Sequence, residues 1–355
     1  MSTTKIPEGI DHRRRGLFAA AAATVAATQL GGVGVAAART GETPTSGPQA
    51  PRSGGGASFA ALKQIDAGVL SNGYVEDGPT DGPVVMLLHG WPYDIHSYLD
   101  VGPLLASAGF RVIVPHLRGH GTTRFLSAAT PRNGQQSALA VDIIALMDAL
   151  GIREAIVAGY DWGARTAGIL AALWPDRCKA LVSVSGYLIG SREANRMPLK
   201  PREELEWWYQ FYFATERGRA GYAQHTRDFA ALIWRLASPR WAFDEATFLR
   251  SAASLDNPDH VDVVIHNYRW RLGLAQGEPR YDALEDRLSQ GPPIRVPTIT
   301  LEGDANGAPH PDAGAYAGKF SGPYVHRVVT GGIGHNLPQE APRAFAAAVL
   351  DVGRL

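Results

Sequence analysis

Of 355 residues only one, Cys178, is a cysteine, which excludes an internal disulfide and any cysteine-based zinc site. Excess charge is missing too. Lys and Arg number 34, Asp and Glu 34, and the formal net charge is +0, so the composition carries no footprint for nucleic acid or an anionic membrane. Long apolar runs are also lacking. The Ala-rich stretch near the start is interrupted by Thr, Gln and Gly, and is too mild to span a bilayer, so no stable membrane association is expected. No cluster of metal-ligand spacing and no phosphate-cradling loop follows a strand; Gly31-Gly32-Val33-Gly34 belongs to the N-terminal stretch. No metal and no cofactor are therefore expected. What is present is an ordinary soluble composition, 45% hydrophobic and 19% charged, long enough for one large domain or a domain with an insert. Cys178, just after Pro175-Asp176-Arg177, reads as a packed thiol.

Residues 1–38 stand apart. Arg13-Arg14-Arg15 precedes the Ala-rich stretch, and Ala36-Ala37-Ala38 offers small residues for cleavage. This resembles a twin-arginine export signal and implies a periplasmic or extracellular protein. Residues 39–58, rich in Gly, Pro, Ser and Thr, read as a flexible linker.

From residue 59 to 186 short apolar runs alternate with helical patterns. Leu70 to Glu76, Val84 to Leu88, Arg111 to Pro115, Ala155 to Ala158 and Leu181 to Val184 read as strands. Leu139, Ile143, Leu146, Met147 and Leu150 mark one face of a helix stopped by Gly151. Strand–helix alternation predicts an α/β fold with a mostly parallel, doubly wound sheet. From 187 to 288 the strands vanish and five of the eight tryptophans appear. Leu205, Trp208, Tyr209 and Tyr212 fit one helix face, and Val261, Val264, Ile265, Tyr268 and Leu272 another, which predicts an inserted helical cap. Strands resume at Val296 to Leu301 and Tyr324 to Val329, and a helix from Pro342 to about Val352 closes the segment 289–355.

The chemistry centres on Gly159-Tyr160-Asp161-Trp162-Gly163. A buried strand, a sharp turn flanked by glycines and a following helix make the layout of a nucleophile elbow. The central residue is Asp161. A carboxylate needs no base to become a nucleophile, and its attack on carbon gives an ester that must then be hydrolysed. Asp304 follows one later strand and His335 another, so the order is Asp161, Asp304, His335. A capping Asp, a turn Asp and a surface His are the plain structural alternatives.

Those residues, with His89-Gly90-Trp91-Pro92, Arg118-Gly119-His120-Gly121 and Gly334-His335, resemble the Asp-nucleophile branch of the α/β-hydrolase superfamily. They are most similar to epoxide hydrolases within the epoxide hydrolase and haloalkane–haloacetate dehalogenase group. The resemblance implies an α/β-hydrolase fold and a small apolar substrate. An epoxide would be opened to a vicinal diol through an alkyl-ester on Asp161, then hydrolysed by water that His335 activates, with Asp304 accepting from its second ring nitrogen. It further implies an oxyanion hole from the backbone N–H groups of Trp91 and Trp162, a cis peptide before Pro92, and substrate contacts from Trp91, Pro92, Trp162 and Trp208. Trp208-Tyr209-Gln210-Phe211-Tyr212-Phe213 and His266-Asn267-Tyr268-Arg269 place Tyr209 and Tyr268 where the family keeps its two acids, though Asn267 departs from the usual aromatic. Both tyrosines also fit as core aromatics, and His89, His116 and His120 read as structural hydrogen-bonders. Two alternatives stay open: a dehalogenase, with Trp162 holding halide and Arg165 as half of a carboxylate clamp, and a non-catalytic ligand-binding protein on the same fold.

Overall fold

The computed structural model describes Phe59, residues 61–191 and residues 193–355. The twin-arginine stretch and the expected linker lie outside the described residues.

The described residues contain nine strands, of which all but the first and fifth fall on the apolar runs: β1 (Lys63–Ala67), β2 (Leu70–Asp77), β3 (Val84–Leu88), β4 (Arg111–Pro115), β5 (Arg124–Phe125), β6 (Ala155–Gly159), β7 (Cys178–Val184), β8 (Thr298–Gly303) and β9 (Tyr324–Val329). They form one sheet in the order β1-β2-β4-β3-β6-β7-β8-β9, with β5 paired to β2. The β1–β2 and β2–β4 ladders are antiparallel, and every pairing from β4 onward along that order is parallel. Between the early strands run α1 (Val101–Ser107), α2 (Gln136–Ala149) and α3 (Trp162–Leu173). After β7 come α4 (Pro201–Glu206), α5 (Trp208–Ala214), α6 (Glu216–Gln224), α7 (Thr226–Ala237), α8 (Glu245–Ala252), α9 (His260–Arg271) and α10 (Asp282–Ser289), and no strand intervenes among the described residues before β8. The C-terminal part adds α11 (Ala313–Tyr316), α12 (Leu337–Glu340) and α13 (Pro342–Val352).

Successive side chains of a strand face opposite ways, so β3 feeds two cores. Met86 and Leu88 join Ile113, Ile143, Leu146 and Ile169 on one face. Val85 and Leu87 join Val112, Val182, Phe345 and Val349 on the other. Burial on both faces is why these strands are continuously apolar. The first core continues through Trp91 and Trp162 into Phe213, Tyr222, Tyr268 and Val264, so the helical insert shares the sheet's own core. Cys178 is buried, and burial pushes its thiol up to about 12, as a packed and inert thiol should be.

The structure differs from the predicted pattern around 205. Leu205 does not share a face with Trp208 and Tyr209; it sits on α4 and is 61% exposed, because the helix breaks at Trp207 and restarts as α5. The break turns Tyr209 inward without burying Leu205.

Candidate active site

The site lies past the C-terminal ends of the parallel strands. β6 ends at Gly159, and Asp161 stands on the turn into α3 with φ 52° and ψ −123°. A non-glycine residue in this region is strained and persists only where its surroundings enforce it. They do. A Cβ on Gly163 would lie 1.8 Å from the Leu88 carbonyl oxygen, and one on Gly159 would lie 2.5 Å from the Gly163 carbonyl carbon. The two glycines let the turn close against β3, and the closure holds Asp161 up.

Two sets of donors meet its carboxylate. The Trp91 backbone N–H donates to Oδ1 at 2.7 Å, and the Trp162 backbone N–H, at the start of α3, also faces the carboxylate. His335 Nε2 lies 3.5 Å from Oδ2. Burial raises the carboxyl's pKa, but His335 and the two N–H groups outweigh it and leave Asp161 below its ordinary value, hence ionised at neutral pH. The peptide between Trp91 and Pro92 is cis.

Trp91 is fixed from the far side by a relay of one sense. Its indole N–H donates to Tyr222 Oη at 2.9 Å, which pairs with His260 Nε2 at 2.8 Å. His260 Nδ1 lies 2.8 Å from the Gly119 carbonyl, which can only accept. His260 therefore carries its proton on Nδ1, and its Nε2 receives the Tyr222 hydroxyl. His89 is locked likewise, with Nδ1 donating to the Gly90 carbonyl at 2.9 Å and Nε2 accepting from the Leu117 N–H at 3.1 Å. Its role is structural. Arg118, from the same loops, is buried in a two-pronged pair with Asp142 at 2.6 and 2.7 Å.

Across from Asp161, α5 and α9 present Tyr209 and Tyr268, with ring centroids 5.3 Å apart and both side chains buried. Burial, with the charge of Asp161 nearby, raises both phenols above their ordinary value, so both keep their protons. Tyr268, Trp162, Arg165, Ser185, Asp161 and His335 line a cavity of about 390 Å³. Tyr209, Trp91 and Trp208 line a smaller one of about 50 Å³ that also reaches Asp161 and His335. Pro92 sits behind Trp91 with its carbonyl accepting from the Trp234 indole at 3.0 Å; it shapes the loop and lines neither cavity.

Asp304 departs from its expected place. Its oxygens accept from the backbone N–H groups of Gly331, Gly332 and Ile333 at 3.0, 2.8 and 2.8 Å, and no hydrogen bond joins it to His335. The Nδ1 of His335 is buried without a partner. Three adjacent loop donors satisfy the carboxylate, and they hold it below its ordinary pKa, Gly331 foremost. Asp304 thus anchors the loop that carries His335. The His335 backbone N–H is held in turn by Ser238 Oγ at 3.0 Å, and Glu340 ties Ser238 to the Gly334 N–H at 2.7 Å each.

Several cavity residues escaped the sequence reading, Ser185 and His310 among them. Ser185, just past β7, has φ 63°, and His310 follows β8; strand-end position is the only signal either carried. No group of three or more His, Cys, Asp or Glu residues suited to a metal ion occurs among the described residues.

The family described as having the alpha/beta hydrolase fold matches residues 83–241. A crystal structure of a candidate epoxide hydrolase from Klebsiella pneumoniae is 63% identical, covers 84% of this chain and 98% of its own, and superposes with a TM-score of 0.83. The chain belongs to the α/β-hydrolase family. An epoxide hydrolase from Caballeronia sordidicola is 36% identical over 240 residues, which are 62% of this chain and 69% of that protein. Epoxide hydrolase B of Mycobacterium tuberculosis is 35% identical over 158 residues, 41% of this chain, and over that match the chain spans 44% of the relative's length. The elbow, the loop after β3 and α3 all fall within the 83–241 match, whereas Tyr268, Asp304 and His335 lie beyond it.

Proposed function

We propose that this α/β-hydrolase opens an epoxide to a vicinal diol through a covalent ester on Asp161. The observation that carries the reading is an ionised carboxylate with two buried, protonated phenols near it, each lining one of the two cavities that reach Asp161. The Oδ1 atom is occupied by the Trp91 N–H, so Oδ2 attacks the ring carbon. As that C–O bond forms, the ring C–O bond breaks and its oxygen takes a proton from Tyr209 or Tyr268. Water then adds to the ester carbonyl while His335 Nε2 takes its proton. The resulting oxyanion, on Oδ1, meets the Trp91 and Trp162 N–H groups. On collapse the departing diol oxygen takes the proton back from His335, and the acid proton left on Asp161 returns to the tyrosinate, so that carboxylate and phenol are both restored. Asp304 acts in this scheme as a positioning residue, through the His335 loop.

One observation favours a second reading, carbon–halogen cleavage by the same nucleophile. The Trp162 indole N–H is buried in the cavity wall with no acceptor of good geometry, and such a donor suits a departing halide.

The tyrosines separate the readings. Ring opening without protonation would leave an alkoxide in a buried site, at high cost, whereas a halide needs no proton. A single Tyr209→Phe or Tyr268→Phe change should slow alkylation by a styrene-type epoxide by about 10²-fold or less, and the double change much more. Stopped-flow single turnovers measure this. Unchanged epoxide turnover in the double variant, or halide release without diol formation in the parent enzyme, would refute the epoxide reading.

A further inference from the structure

Hydrolysis of the ester puts a positive charge on His335 at a moment when its closest carboxylate has none. Asp161 Oδ2 lies 3.5 Å from the ring, but while the ester stands Asp161 is neutral. Nδ1 of the ring is buried without an acceptor, and Asp304 is exposed and bound to the N–H groups of Gly331, Gly332 and Ile333. Tyr93 and Tyr160, whose ring centroids lie 6.2 and 6.0 Å from that of His335, are phenols that burial keeps protonated. An unpaired cation in such surroundings is costly.

Another carboxylate reaches the same segment. Glu340, half-buried at the end of α12, takes the Gly334 N–H on Oε2 at 2.7 Å and the Asn336 N–H on Oε1 at 3.1 Å. The N–H between them, that of His335, donates to Ser238 Oγ at 3.0 Å, and the Ser238 hydroxyl passes the link on to Oε1 at 2.7 Å. Three successive backbone donors therefore end on one carboxylate. Every one of these partners donates, which suits the ionised form, an acceptor only. Burial raises the carboxyl above its ordinary value, and the bonds from Ser238, Gly334 and Asn336 and the nearness of His335 act against that rise. The arrangement has little slack. A Cβ on Gly334 would lie 2.6 Å from both Cα and Oγ of Ser238, and Ser238 itself follows α7, so the cap supplies one link.

We propose that Glu340 is a positioning residue for ester hydrolysis: through Ser238 and the two flanking N–H groups it fixes His335, and its charge stabilises the imidazolium that forms as water adds to the ester. No proton passes to Glu340. The inference rests on the Asp161 ester of the reading above, and holds whether an epoxide oxygen or a halide has left.

Two measurements test it. In single turnovers of a styrene-type epoxide, Glu340→Gln should slow ester hydrolysis about 10-fold more than it slows alkylation, because it weakens the base and touches neither nucleophile nor acid. Glu340→Asp, which keeps the charge, should recover part of that difference. Ser238→Ala breaks the link to the His335 N–H, should act in the same sense, and serves if the Glu340 variants do not fold. Equal slowing of both steps, or unchanged hydrolysis, would overturn the proposal. The second measurement needs no substrate. Asp161→Asn imitates the neutral ester, and in that background NMR follows the titration of the His335 ring. Removing a nearby negative charge disfavours the protonated ring, so adding Glu340→Gln should lower the midpoint by about one pH unit. A purely structural role would leave the midpoint in place, and an unmoved midpoint would overturn the proposal. A lowered midpoint in a protein that forms no adduct with an epoxide or an alkyl halide would sustain the coupling of Glu340 to His335 and reject the ester reading instead.

Discussion

Asp304 and His335 are three-dimensional neighbours of one loop, yet the carboxylate bonds the loop's backbone and not the ring. Its effect on catalysis should therefore run through loop geometry. Asp304→Asn keeps one acceptor oxygen but removes the charge, so it should lower the thermal midpoint and slow ester hydrolysis less than His335→Gln does. Paired calorimetry and single-turnover kinetics check this; hydrolysis as slow as in His335→Gln, with an unchanged midpoint, would assign Asp304 a direct contact with the ring. The sequence order Asp161, Asp304, His335 placed all three at one sheet edge correctly. Which donors Asp304 would find was not legible, because a ring nitrogen and three loop N–H groups are equally good partners on paper, and loop geometry chooses between them. Arg165 shows the same limit: its place four residues after the nucleophile was visible, but its partner Asn267 was not.

Among elements, β3, β4 and β9 were legible residue for residue, whereas β7 starts three residues earlier and β8 lies two residues later than the apolar runs suggested. Val84–Leu88 is apolar throughout, and Arg111–Pro115 is apolar after its first residue, because both faces are covered. The edge strand β1, Lys63–Ala67, was not, since an edge strand half open to solvent shows no such run. Behind Trp91 the loops after β3 and β4 meet α9 in a cluster of buried histidines, where the His120 ring lies 4.9 Å from His89 and 4.8 Å from His260. Burial pushes His116 and His120 down to about 4. Both are neutral in the folded protein but protonate near about 6.5 when unfolded. The unfolded state then binds more protons below that pH, so stability present above about 6.5 is lost as pH falls through about 4. Urea midpoints should decline between pH 7 and pH 4.5, and His120→Gln should flatten the decline; equal midpoints across that range would contradict the assignment. Burial holds His260 well below its ordinary pKa as well, so in the folded protein it stays neutral and keeps accepting from Tyr222.

At the scale of the molecule, the insert between β7 and β8 brings two phenols over a nucleophile that the sheet alone supplies. No helix among the described residues is long and apolar enough to cross a membrane. Export by the twin-arginine route is a proposal resting on Arg13-Arg14-Arg15 and Ala36-Ala37-Ala38, which lie outside the described residues. Replacing Arg14 and Arg15 with Lys should retain the full-length protein in the cytoplasm, as fractionation and mass measurement would show; a protein still exported and cut near Ala38 would remove the idea.

The central claim is that Asp161 carries the substrate as an ester, and mass spectrometry of the stalled enzyme tests it most directly. In His335→Gln the attack should proceed and the hydrolysis should not, so a styrene-type epoxide should add its own mass to a peptide containing Asp161. In Asp161→Asn with His335→Gln that adduct should be absent. An adduct on any other residue, or none with an epoxide that the parent enzyme turns over, would contradict the account.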